Sequence, residues 1–125
     1  MKVFLVDDSA IIRERLVSML SEIKGVEIVG EAKNAHDALE DIEKLKPDAV
    51  ILDIRMPGGN GIDVLEKIKE GRPKTQVIMF TNYLYPQYRK RCMELGADFF
   101  FDKSNEFEKV TGVIQKMMGG LKNES

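Results

Sequence analysis

Asp7, Asp8, Asp53, Thr81 and Lys103 have side chains suited to work on a phosphoryl group, and each stands where an apolar run stops. The two aspartates follow KVFLV, Asp53 closes AVILD, Thr81 closes QVIMFT, and Lys103 follows DFFFD. Carboxylates that converge repel one another, and their pKa values rise unless a cation is near. A divalent ion resolves that conflict. An all-oxygen donor set with few carboxylates favours Mg²⁺ or Mn²⁺ and leaves room for water and a phosphate oxygen. Lys103 supplies a flexible point charge for an aspartate or a phosphate, and the Thr81 hydroxyl can donate to a phosphate oxygen. An aspartate can itself be the nucleophile and become an acyl phosphate. Metal and lysine then neutralise charge on the transferring group.

That chemistry requires elements that bring the residues to one place. Short apolar runs predict strands at 2–6, 26–32, 48–54, 76–81 and 98–102. Between them, apolar residues recur at three- and four-residue intervals, as helices require. The first helix is capped by Ser9, carries Ile12, Leu16, Met19, Leu20 and Ile23, and stops at Gly25. The second carries Ala38, Leu39, Ile42 and Leu45 and ends at Pro47. The third starts near Gly61 with Val64, Leu65 and Ile68 on one face, and the fourth runs from Pro86 to Leu95. Asn105 and Glu108 predict a capping box for the fifth, whose inner face is Phe107, Val110, Ile114 and Met117. Strands alternating with helical crossovers predict a doubly wound α/β fold, a five-stranded parallel sheet covered on both faces. With strand order 2-1-3-4-5, the flavodoxin-like arrangement, the carboxyl ends of the central strands carry the polar residues, where such sheets bind ligands.

Composition narrows the function. A chain of 125 residues fits one domain, read here as residues 1–119 with 120–125 as a frayed tail or the start of a linker. Cys92 is the single cysteine; without a disulfide framework or a signal-peptide pattern in MKVFLVDD, a cytoplasmic location is expected. No apolar window is long enough to suggest a membrane span. Basic and acidic residues number 19 and 21, for a net charge of −2, which gives no overall positive field for nucleic acid.

In order and spacing, VDDS, LDIRMPGGNG, MFTN and FFFDK together resemble the receiver domains of two-component response regulators over essentially the whole chain. The chain is similar to a single-domain chemotaxis receiver. That resemblance implies a phosphoacceptor at Asp53, a metal site of Asp7, Asp8, Asp53 and the Arg55 carbonyl, a switch made by Thr81 and Phe100, and a phosphate-pairing Lys103. It also implies Mg²⁺, a histidine kinase or histidine phosphotransfer protein as donor, and a downstream target or a linked output domain. Homodimerisation through the face of the fourth helix, fifth strand and fifth helix is a further implied partnership. The only reactions expected of such a domain are its own phosphorylation and dephosphorylation. Three positions depart from the usual pattern: Phe100 replaces a tyrosine, Ser104 a proline, and Asn82 a small residue. Ser104 places the cis peptide usual after the lysine in doubt. Arg55 and Tyr83 occupy positions that tune acyl-phosphate lifetime in relatives, and their bulk predicts a long-lived phosphorylated state.

Other reactive residues read more plainly. His36 belongs to the first exposed turn of the second helix, Cys92 packs under the fourth, and Met117-Met118 is core followed by helix end. Arg89-Lys90-Arg91 forms a solvated helix face that a partner can also use, and Phe99 to Phe101 form an edge strand with one face partly open. An Asp-nucleophile, Mg²⁺-dependent phosphatase shares this chemistry. Such enzymes carry nucleophile and acid two residues apart after one strand, however, whereas Asp7 and Asp8 are adjacent and Asp53 lies elsewhere. A phosphorylation-independent interaction domain would not need Asp8, Asp53 and Lys103. For a flavodoxin-like nucleotide binder, VDDSAI is acidic where phosphate would sit.

Overall fold

A computed structural model describes residues 1–123. The central sheet contains β1 (Lys2–Val6), β2 (Glu27–Ala32), β3 (Ala49–Leu52), β6 (Gln76–Thr81) and β7 (Phe99–Asp102). Its order is β2-β1-β3-β6-β7, parallel throughout, which is the predicted 2-1-3-4-5 arrangement. Helices α1 (Ala10–Leu20), α2 (Ala35–Leu45), α3 (Gly61–Gly71), α4 (Pro86–Glu94) and α5 (Phe107–Asn123) form the crossovers and the final element.

The period of two along each strand divides the core. Val3 and Leu5, Ala49 and Ile51, and Ile78 and Phe80 face a cluster with Leu16 and Leu20 of α1 and Phe107, Val110 and Ile114 of α5. Their alternates, Phe4, Val6, Val50, Leu52, Val77 and Met79, meet α2, α3 and α4 through Ala38, Ile42, Val64, Leu65, Ile68 and Cys92. Strands buried on both faces need the near-continuous apolar runs seen in the sequence. At the edge, Phe100 is buried in the second cluster, while Phe99 and Phe101 stack at 5.7 Å and stay half-buried against the first.

Several boundaries differ from the predicted ones. α1 ends at Leu20, with Ser21 as its C-cap, and Gly25 instead turns the chain at φ +92° before β2. α2 stops because Lys46 adopts a left-handed conformation, φ 50°; Pro47 bars helical geometry at the residue before it. The Asn105 capping box does not form. Asn105 donates instead to Asp102 Oδ2, and Glu106 accepts from the Asp102 amide, so α5 starts only at Phe107. α5 then continues to Asn123, past residue 119 where the domain was expected to end, and the last two residues of the expected tail lie outside the described residues.

A small hairpin was not anticipated. After β3 the chain forms β4 (Arg55–Met56) and β5 (Gly59–Asn60), antiparallel, with Pro57 and Gly58 between them. Gly58 has φ +74°, as the third residue of a type II turn with proline before it requires.

Candidate functional site

Strand register carries the polar residues to one end of the sheet. The Asp53 amide donates to the Val6 carbonyl, the Asp7 amide to Ala32, and the Lys103 amide to Thr81, each at 3.0 Å. These three residues, each just past a strand, are thus fixed to the neighbouring strand. Gly61 completes the mount for Asp53: its amide donates to the Ile54 carbonyl at 2.6 Å, and a Cβ there would lie 1.8 Å from the Asp53 carbonyl oxygen. Only glycine permits that approach. Gly58 and Gly59 serve the hairpin instead, the first through its φ and the second by passing Ala35, whose Cβ would lie 2.7 Å from an added one. These glycines shape the loop that follows Asp53.

Lys103 Nζ lies 2.6 Å from Oδ2 of both Asp7 and Asp53. All three side chains are buried, whereas Asp8 is exposed. Burial pushes the Asp7 carboxyl above its usual range despite hydrogen bonds from Lys103 and the Ser9 amide. Burial works against the Lys103 ammonium, but hydrogen bonds to Asp53 and Asp7 outweigh it and hold its pKa above the usual lysine value. The other Asp53 oxygen, Oδ1, accepts from the Ile54 amide at 2.7 Å, and Oδ1 of Asp7 accepts from Ser9 at 2.9 Å. The carboxylates are held in fixed orientations.

Asp7, Asp8 and Asp53 each offer one oxygen to a shared site, with those atoms within 4.8 Å of one another. Two buried carboxylates and one exposed carboxylate, balanced by a single lysine, leave net negative charge that suits a hard divalent cation. The site opens into a hollow of about 760 Å³ lined by Asp8, Asp53, Arg55, Asn82, Tyr83 and Ser104, among others. A larger hollow of about 940 Å³ lies among Lys46, Arg72, Lys74 and Lys116, at the amino end of the strands and without convergent carboxylates.

Of the remaining predicted site residues, Arg55 and Tyr83 line this mouth, whereas Thr81 and Phe100 do not. The Arg55 guanidinium stands over the Tyr83 ring, 4.8 Å from its centroid. Thr81 is fully buried, and its hydroxyl accepts from the Tyr83 amide at 3.1 Å; it does not line the hollow. Phe100 is buried, with the Arg89 guanidinium 5.6 Å from its ring centroid. Among the described residues no peptide bond is cis, so Lys103-Ser104 is trans. His36 is exposed beside Glu40, and Cys92 is fully buried, both as expected.

Arg13 was not singled out in the sequence. Its guanidinium donates to the Asp7 carbonyl at 2.6 Å and to Glu31 Oε1 at 3.0 Å, clamping the ends of β1 and β2 behind the acidic pair. Its position four residues after the N-cap, on the turn facing β2, is the signal that could have revealed it.

Comparison with known proteins agrees with this geometry. The model of the response regulator receiver domain matches residues 3–115. The chain is 38% identical to a protein-glutamate methylesterase/protein-glutamine glutaminase of Alkalilimnicola ehrlichii, over 96% of this chain and 32% of that protein. It superimposes on the response regulator domain of Thermotoga maritima CheB with a TM-score of 0.83 and 30% identity, covering 96% of this chain and 94% of that one. A complex of CheX and CheY with BeF3 and Mg from Borrelia burgdorferi contains a chain matched with a TM-score of 0.79 and 28% identity, over 91% of this chain and 89% of that one. This chain belongs to the response regulator receiver domain family, the signal-receiving module of two-component systems. It spans between 32% and 56% of the length of the first curated relatives it matches. No helix among the described residues is long and apolar enough to cross a membrane.

Proposed function

We propose that Asp53 accepts a phosphoryl group from the phosphohistidine of a sensor kinase or phosphotransfer protein, in a Mg²⁺-dependent reaction. The observation that carries this reading is the pairing of buried Asp53 with Lys103 beside Asp7 and Asp8, open to a hollow on one side. Oδ2 of Asp53 attacks phosphorus, the new O–P bond forms as the donor's N–P bond breaks, and the electron pair leaves on the imidazole nitrogen. Lys103 pairs with the incoming phosphoryl oxygens as Oδ2 is given up to the new bond. Asp7, Asp8, Asp53 and the Arg55 carbonyl would hold Mg²⁺, which would add to the neutralisation of those oxygens; Mn²⁺ suits the same donors.

The charge placed on Asp53 draws the Thr81 hydroxyl from the Tyr83 amide toward the phosphoryl group. That movement, with Phe100 behind it, changes the face formed by α4, β7 and α5. Arg89, Lys90 and Arg91 on α4 and half-buried Phe99 and Phe101 on β7 give this face its character for a protein target or a second copy of the chain. Cytoplasmic location, and no turnover beyond phosphorylation and its reversal, complete the reading. The stacked Arg55 and Tyr83 cover one side of the hollow and slow the approach of water to the acyl phosphate. Incubation with Mg²⁺ and a small acyl phosphate, followed by intact-mass measurement, tests the reaction: one phosphoryl group should add to the wild type and none to Asp53→Asn or after chelation. Equal labelling of Asp53→Asn would refute it.

A further inference from the structure

Asn82 directly follows Thr81 and Ser104 directly follows Lys103, so each sits one residue beyond a member of the site. Ser104 Oγ donates to Asn82 Oδ1 at 2.8 Å, and both residues line the hollow over Asp53. The two ends of this bridge differ in how firmly they are held. Ser104 hangs from a rigid turn: its amide donates to Asp102 Oδ1 at 2.9 Å, Asn105 donates to Asp102 Oδ2 at 2.8 Å, and the Asp102 amide donates to Glu106 Oε1 at 2.9 Å. Asn82 opens the four-residue link 82–85 between β6 and α4. At the start of that link, the Tyr83 amide holds the Thr81 hydroxyl away from the hollow.

Thr81 does not line the hollow, so its hydroxyl must turn from the Tyr83 amide toward Asp53 to donate to a phosphoryl group there. The Thr81 carbonyl is tied to the Lys103 amide at the end of the sheet, so the parts freest to rearrange are the Thr81 side chain, Asn82 and Tyr83. We infer that the Ser104–Asn82 hydrogen bond restrains this segment in the unphosphorylated arrangement, with Ser104 a positioning residue that acts through Asn82 on Thr81. The inference rests on the reading of Asp53 as phosphoacceptor. A bond made in only one of two states biases their equilibrium by its own free energy. For a solvent-exposed hydrogen bond that is about two- to tenfold.

Calorimetric titration of the full chain with beryllofluoride in Mg²⁺, an acyl-phosphate mimic that selects the switched state, measures the bias. Ser104→Ala should bind two- to tenfold more tightly than wild type, and Ser104→Thr, which keeps the hydroxyl, should match wild type. Ser104→Ala combined with Asn82→Ala should gain no more than Asn82→Ala alone. A bridge that only stabilised the fold would lower the melting temperature of Ser104→Ala without tightening binding, and that result overturns the inference. So does a Ser104→Thr variant that behaves like Ser104→Ala. Wild type that fails to bind, or binding that survives Asp53→Asn, removes the acceptor reading and the restraint together. Asp53-dependent binding that Ser104→Ala leaves unchanged removes the restraint alone.

Discussion

The Lys103 ammonium lies 2.6 Å from Asp53 Oδ2, and both side chains are almost wholly removed from solvent. Lys103 makes the same contact with Asp7, so one cation holds together two buried anions. Ion pairs in such surroundings add little net stability, yet breaking one leaves a charge uncompensated.

Lys103→Met should therefore cost about 3–5 kcal/mol at neutral pH without metal. Addition of Mg²⁺ should return part of that loss, because a cation between the carboxylates replaces the missing charge. Urea unfolding with and without Mg²⁺ measures both effects; a variant as stable as wild type in chelator would show that the pair is already solvated.

Asp7→Asn should act in the opposite direction. Burial raises the folded-state pKa of Asp7, so the fold favours its protonated form, and ionisation costs stability as pH rises through the window above the usual value. A neutral amide removes that cost. In chelator, Asp7→Asn should melt above wild type. In Mg²⁺ the ranking should narrow or reverse, since the variant lacks one of the three carboxylates proposed to hold the ion and should gain less from binding.

The glycines after Asp53 separate two kinds of constraint. Gly61→Ala should destabilise the chain severely and abolish phosphorylation, because its Cβ would overlap the Asp53 carbonyl at 1.8 Å. Gly58→Ala meets open space and suffers only from its positive φ, a cost of about 1–2 kcal/mol. Paired melting and labelling experiments should find the second variant folded and active, and equal behaviour of the two would contradict this division.

Arg55 and Tyr83 are expected to set the lifetime of the phosphorylated state. Replacing both, Arg55→Asn with Tyr83→Glu, removes the stacked cover and should speed loss of the phosphoryl group about tenfold, equivalent to 1.4 kcal/mol of barrier. Decay of labelled protein after removal of the donor reports the rate; an unchanged half-life would show that the pair does not shield the site.

Alkaline pH should weaken the fold in two stages. Burial pushes the Cys92 thiol up to about 11 from 9.0, so its neutral form belongs to the folded state and stability falls as pH rises across that interval. Lys103, raised above the ordinary lysine value, adds its own loss as pH rises past that value. Cys92→Ala should flatten the first stage and leave the second, as read from denaturant midpoints against pH; an unaltered slope would place the thiol in water.

The sheet and its order were legible in the sequence because strands covered on both faces must be apolar along their centres, as AVIL and VIMF are. Asp7, Asp53, Thr81 and Lys103 could be assigned to one mouth for the same reason, since each ends such a run. The β4–β5 hairpin escaped because two-residue strands have no periodicity. The Asn105 side chain instead donates to Asp102, and Glu106 accepts from the Asp102 amide, contacts that the spacing of Asn105 and Glu108 does not reveal. No sequence pattern shows that the Thr81 hydroxyl faces the Tyr83 amide or that Ser104 reaches Asn82, because both depend on rotamers chosen by neighbours distant in the chain.

Chemical mapping of the phosphorylated residue tests the central claim most directly. Borohydride reduction of an aspartyl phosphate yields homoserine, which peptide sequencing locates. After labelling in Mg²⁺, homoserine should appear at position 53 alone and vanish in Asp53→Asn. Label at another residue, or a linkage that resists reduction, would contradict the assignment of Asp53 as phosphoacceptor.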